Sequence, residues 1–240
     1  MHSGSRFLGK QTAEYWQHVA VKRMKERSAY FYKEKMNIIK TLYPKYEWED
    51  LIRKDRISSE ITIPRGLEYL EGEDMYNYMI DSIFNYFYAI LSREKMSDTV
   101  RNILPNNDVL ESISTIHNYV NHEDFIIRKG AVTAYKGQKF ILPFNFEDGT
   151  LICEGKGNSE WNFSAPHGAG RIYSRTAAKK VLKAEPVQER LTKKGIHTSV
   201  LPLDELPGAY KPAKVIEEAI EPTATIIHRI KPIITFKSKK

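Results

Sequence analysis

Cysteine is almost absent from this chain. Cys153 stands alone among 240 residues, so no internal disulfide can close and no cysteine-cluster metal site can be built from this sequence. Long apolar runs are missing too: none approaches the roughly 20 residues that a helix needs to cross a bilayer. No basic stretch followed by an apolar core and a small-residue cleavage site opens the sequence, and no internal repeat or low-complexity segment is present. These absences set the expectation of a soluble protein in a reducing compartment, the cytoplasm. What is there is ordinary for a globular chain: 41% hydrophobic and 28% charged residues, enough for one large domain or two small ones. A formal charge of +7 and a pI near 9.2 suit a polyanionic partner, although many basic proteins have none.

The first part reads as helical. From about Gln11 to Leu42, Trp16, Val19, Ala20 and Met24 fall on one face with Lys22, Arg23, Lys25 and Glu26 opposite, and Pro44 ends the pattern. Tyr76, Met79, Ile80, Ile83, Phe84, Phe87, Ile90 and Leu91 form a second helical stripe, expected to face the core, with a connecting loop over Ile57 to Glu71. After Pro105-Asn106-Asn107 the texture changes to short strands: Phe125 to Ile127, Val132 to Tyr135, Lys139 to Leu142 and Leu151 to Cys153. Asp148-Gly149 has the chemistry of a two-residue hairpin turn. Helices at Thr176 to Lys183 and Ala213 to Ala219 and a last strand pair, Thr225 to Arg229 with Ile233 to Phe236, complete an α+β pattern. The division is a mainly helical part, 1–104, and a β-rich part of the same domain, 105–240.

The densest chemistry lies in Asn162 to Arg175. Gly168, Ala169 and Gly170 allow close approach of backbone to a ligand, Arg171 and Arg175 suit phosphate oxygens, and His167 stands beside them. A glycine turn with solvated arginines is the plainer alternative. His117-Asn118-Tyr119 with Arg128-Lys129-Gly130-Ala131 repeats the theme of one imidazole followed by cations and a glycine, and so does His2-Ser3-Gly4-Ser5-Arg6. A lone histidine is more often structural than a ligand; several converging on one site would reverse that.

In this order, His2-Ser3-Gly4-Ser5-Arg6, Arg128-Lys129-Gly130-Ala131, His167-Gly168-Ala169-Gly170-Arg171 with Ser174-Arg175, Ala209-Tyr210-Lys211 and the tail from Lys231-Pro232 to Lys237 resemble the signature segments of the RtcB family of RNA ligases. The family joins an RNA 3′-phosphate or 2′,3′-cyclic phosphate to a 5′-hydroxyl, as in tRNA splicing or RNA repair, using GTP and manganese through a histidine–GMP intermediate. The resemblance implies that His167 is the nucleophile and that His2 and His117 are metal ligands. It places Arg6, Arg128, Lys129, Arg171 and Arg175 against RNA or phosphate. It sets Gly168, Ala169, Gly170, Asn145, Tyr210 and Lys237 around the nucleotide, with Tyr210 stacking on guanine. Pro166 stands where the family more often has a small polar residue, and Asn145 stands where many members have a serine in a Gly-Ser-Met-Gly turn. The family's Asp and Cys in a Gly-rich motif and its Asn-His pair with a nearby Glu, which lie upstream of the first of these segments, are not in this sequence. The expectation is therefore an RtcB-like chain truncated at its N-terminus, needing a missing half or a helper protein. The alternatives are a non-catalytic RNA- or phosphate-binding remnant and a fragment that folds poorly.

Overall fold

The computed structural model describes residues 1–58, 66–104, 108, 109 and 111–237. The chain is a mixture of helices and small sheets in two compact units, Met1–Asn107 and Asp108–Lys240. Pro105-Asn106-Asn107, where the sequence places the change of texture, and residues 59–65 of the connecting loop expected between the first helices lie outside the described residues. Among the described residues no helix is long and apolar enough to cross a membrane.

The first unit holds α1 (Arg6–Leu42), a 3-10 turn, α2 (Trp48–Ser58) and α3 (Gly72–Arg101). Ser58 thus belongs to a helix, and α1 begins five residues before the apolar periodicity does. The helix stops ahead of Pro44, whose ring excludes helical continuation. Trp16 and Ala20 are buried as the periodicity predicts. The stripe on α3 is for the most part not: Tyr76, Ile80, Phe84, Phe87 and Leu91 are exposed, Phe84 by 64%, while Met79, Ile83 and Ile90 are half-buried. The face of α3 turned to α1 carries polar groups instead. Asp81 accepts from Trp16 Nε1 at 2.8 Å, Asn85 donates to Thr12 Oγ1 at 3.0 Å, and Asp74 accepts from Arg23 at 2.6 Å. Fixed hydrogen-bond partners on α1 therefore set the rotation of α3, a preference that hydrophobic periodicity does not see.

The second unit is built on antiparallel pairing. Strand β1 (Asn118–Val120) pairs with β2 (Ile127–Lys129), and β3 (Ala131–Thr133) pairs with β6 (Ser164–Pro166). Strands β4 (Lys139–Pro143), β5 (Thr150–Gly155) and β8 (Ala224–Ile230) form a three-stranded sheet. Alternation with period two sends Phe140, Leu142, Leu151 and Cys153 inward, where they meet Val132, Ala165, Ala169, Ile216 and Ile220. Gly155 has no room for a side chain, since a Cβ there would lie 2.4 Å from the Ala134 carbonyl. A smaller core of Phe146, Val187, Leu191, Ile196 and Leu206 gathers around α5 (Glu185–Lys193), a helix that the sequence pattern does not announce. Helices α4 (Arg175–Val181) and α6 (Ala213–Ala219) lie close to where they are expected.

Two expected turns and pairings differ. The β4–β5 connection is not a two-residue Asp148-Gly149 turn. Phe144 N donates to Gly149 O at 2.8 Å and Gly149 N to Asn145 O at 3.3 Å, closing a longer loop with Gly149 at φ +79°. The last two strands do not pair with each other: β8 joins β5, and β9 (Ile234–Thr235) runs parallel to β7 (His197–Thr198).

Candidate nucleotide-transfer site

The strand registers explain how two distant histidines meet. Asn118 pairs with Lys129 and Ala131 pairs with Pro166, so Gly130 lies between the two ladders. His117, one residue before Asn118, and His167, one residue after Pro166, both arrive beside it. Their rings stack with centroids 4.5 Å apart and planes inclined by 21°. Gly130 turns the chain between the ladders at φ +73°, a region that costs a residue with a Cβ about 1–2 kcal/mol. Its N–H donates to His117 O at 2.7 Å and to Asn118 Oδ1 at 2.9 Å. Its carbonyl lies 2.6 Å from His167 Nδ1.

From His167 the chain runs on through Gly168, where a Cβ would lie 2.8 Å from Pro143 O, and Ala169, whose N–H donates to the same carbonyl at 3.3 Å. Gly170 O accepts from Lys211 N at 3.1 Å, and Arg171 pairs with Tyr210 as an antiparallel bridge. The Arg171 guanidinium sits 4.9 Å over the Tyr210 ring, donates to Tyr210 Oη at 3.2 Å and to the carbonyl of buried Asp204. Glu205 joins the group, 3.5 Å from Arg171 and 2.9 Å from Lys237 Nζ. Burial opposes ionisation of Glu205, but the hydrogen bond from Lys237 and the charges of Lys237, Arg171 and Arg175 prevail and lower its pKa. Burial, followed by the Glu205 charge, raises that of Tyr210. Lys237 is thus anchored: it also lies 5.3 Å over the Phe146 ring, and its N–H donates to Ser199 Oγ at 3.0 Å.

Other candidates sit differently. Arg128, expected against phosphate, is 2% exposed. Its guanidinium donates to Asp124 at 2.8 Å, to Ser164 Oγ at 2.9 Å and to Asn162 O at 3.2 Å, a structural clamp beneath the histidines with no face left for a phosphate. Although burial disfavours its charge, Asp124 is drawn down to about 2 by hydrogen bonds from Arg128, Tyr135 and Ile126 N. Asn145 Oδ1 accepts from Glu147 N at 2.9 Å and Asp148 N at 3.0 Å, and its amide donates to Asp148 at 2.7 Å, so the side chain builds its own loop. Lys129 and Arg175 are exposed. Ser174 Oγ caps the seven-residue α4 by accepting from Ala177 N at 3.1 Å. His2 and Arg6 belong to the first unit. Glu205 and Asp204 escaped the sequence analysis because an acidic pair inside Leu203-Asp204-Glu205-Leu206 has no motif; only its position against Arg171 and Lys237 reveals it.

Manganese, implied by the resemblance, finds no ligand set here: among the described residues no group of three His, Cys, Asp or Glu side chains converges. The two implied ligands, His2 and His117, lie in different units. Cys153 offers nothing in their place, since burial pushes its thiol up to about 11.

A stacked histidine pair in one antiparallel unit of an α+β chain, with Arg171 and Lys237 gathered at Glu205, suits chemistry on an anionic ligand, and comparison with known proteins gives the family. The family model described as "tRNA-splicing ligase RtcB" matches residues 1–238. The chain is 30% identical over 207 residues to the RNA-splicing ligase RtcB of Escherichia coli strain K12, covering 78% of this chain and 51% of that protein. It is 29% identical over 151 residues to the tRNA-splicing ligase RtcB of Aeropyrum pernix, covering 52% and 31%. With the RNA-splicing ligase RtcB homolog 2 of Entamoeba dispar it shares 36% over 131 residues, covering 46% and 25%. The chain belongs to the RtcB family and spans about half the length of the Escherichia coli relative, less of the others.

Proposed function

We propose that this chain carries the histidine and the nucleotide-contacting side of a GTP- and manganese-dependent RNA ligase that joins 3′-phosphate or 2′,3′-cyclic phosphate ends to 5′-hydroxyl ends. His167 is the nucleophile. Its imidazole nitrogen forms a bond to the α-phosphorus of GTP as the bond to the β-phosphate oxygen breaks and pyrophosphate leaves. Water first opens a 2′,3′-cyclic end at the bond to the 2′-oxygen, leaving a 3′-phosphate; an oxygen of that phosphate then takes GMP from the histidine, and the 5′-hydroxyl displaces GMP to close the strand. Each step moves negative charge past the same histidine, a role suited to Lys129, Arg171 and Arg175. Tyr210 and Lys237 would hold the guanosine end. The described residues assemble no ligand set for manganese; its ligands beyond His2 and His117 would come from another segment or polypeptide.

The observation that supports this reading best is the convergence of His117, Gly130 and His167 from three separate segments. The test is transfer of α-labelled GMP to the tagged chain in an extract of its source cells supplied with manganese. Label on His167, lost in His167→Asn, is expected there but not on the isolated chain. Label on the isolated chain would show that no further metal ligands are needed. Its absence from both would leave the second reading, non-catalytic RNA binding, which the exposed Lys129 and Arg175 favour. That reading predicts RNA affinity that falls steeply with salt and no turnover.

A further inference from the structure

We infer that Gly130 is a positioning residue for His167: its carbonyl holds the imidazole in the Nδ1–H form, leaving the Nε2 lone pair free for phosphorus, and Asn118 holds Gly130 in the turn that presents that carbonyl. The inference rests on the role proposed for His167. A carbonyl oxygen only accepts, so at 2.6 Å the His167 Nδ1 must be the donor. The opposite neutral form would bring two lone pairs together at that distance. In a neutral imidazole a proton on Nδ1 leaves Nε2 unprotonated, the state an attacking nitrogen requires.

The carbonyl is itself held. Gly130 adopts φ +73° while its N–H donates to both His117 O at 2.7 Å and Asn118 Oδ1 at 2.9 Å. The peptide on one side of Gly130 is thereby pinned to the β1 ladder, and the carbonyl on its other side meets the histidine that follows β6. A Cβ at Gly130 would lie 3.3 Å from His167 Cε1 and 3.4 Å from Nδ1, so even alanine crowds the ring in addition to straining the backbone. The same glycine thus supplies a turn, a hydrogen-bond acceptor and the space in which the imidazole sits.

The test reads the tautomer directly. Metal-free chain labelled with 15N-histidine is examined by long-range 1H–15N correlation at a pH above the imidazole range, with His167 assigned by loss of its signal in His167→Asn. Free neutral histidine in water favours the Nε2–H form, so a pyrrole-like Nδ1 and a pyridine-like Nε2 on His167 is the distinctive expected result. Gly130→Ala should shift His167 toward a mixture, as should Asn118→Ala, while Asn118→Asp, which keeps an acceptor oxygen for Gly130 N–H, should retain the Nδ1–H form. Wild-type His167 in the Nε2–H form, or averaging between the two, overturns the inference whether or not Gly130→Ala and Asn118→Ala fold. Tautomer and GMP label are read separately. An Nδ1–H His167 that never takes label sinks the ligase reading and keeps the hydrogen-bond assignment; label on an Nε2–H His167 does the reverse.

Discussion

The two units solve the problem of holding together in opposite ways. In the first, the buried apolar side chains among the described residues are Trp16, Ala20, Met36 and Ala89, and α1 is tied to α3 and to the residue before it through Asp81, Asn85, Asp74 and the Arg27–Glu71 pair. In the second, alternating strand residues and two short helices enclose Phe140, Leu142, Leu151, Leu191 and Leu206 completely. Polar contacts fix orientation and each adds only a modest net stability, because water competes as a partner in the unfolded chain. Apolar burial does the reverse. The proposed chemistry sits on the unit with the core, where a histidine ring held by a backbone carbonyl inherits the rigidity of two strand ladders.

The contrast makes graded predictions. Phe140→Ala should cost about 3–5 kcal/mol, the largest effect, because Phe140 has no exposed surface and its removal leaves a cavity; urea denaturation measures it, and a loss below about 1 kcal/mol would mean the core is not closed. Asp124→Asn should follow at about 3 kcal/mol, since it leaves the buried Arg128 guanidinium unpaired. The same carboxylate predicts a pH limb. Its pKa falls from 3.8 in the unfolded chain to about 2 when folded, so its contribution is complete above 3.8 and is lost as pH drops toward 2. Acid unfolding in the variant should lack that limb.

Trp16→Phe removes the indole donor to Asp81 while keeping most of the apolar bulk. About 1.5–3 kcal/mol is the expected cost for a hydrogen bond to a charged acceptor, and a helix-specific probe such as circular dichroism during melting should register it. The smallest effect is expected at Phe84→Ser. A ring that is 64% exposed should change stability by no more than about 0.5 kcal/mol. Were this variant as damaging as Phe140→Ala, the α3 stripe would be core after all, and the comparison between the units would collapse.

Much of the β-rich unit was legible from period and turn residues: β4 and β5 fall where Lys139 to Leu142 and Leu151 to Cys153 alternate, and α6 falls on Ala213–Ala219. The errors have physical sources. Asp148-Gly149 suits a tight turn, but Asn145 Oδ1 captures the Glu147 and Asp148 amides first and lengthens the loop. The α3 stripe has the right period for a core, yet Asp81 and Asn85 find partners on α1 and turn it outward. Arg128 looks like a phosphate contact in a basic segment; only the fold shows Asp124 and Asn162 closing around it. Nor does the sequence show what holds Lys237, which Glu205 and the β7–β9 pairing fix in place.

By itself the sequence determined the family, the identity of the histidine and cations, and the alternation that makes strands, since these depend on residue type and local spacing. Only the tertiary structure decided which cations remain free, which face of α3 is wet and which nitrogen of His167 carries the proton. Apart from the Arg128–Asp124 pair, four positions apart, those depend on partners 30 or more positions away: Gly130 lies 37 residues from His167, and no local pattern encodes a hydrogen bond across that distance until two ladders bring its ends together.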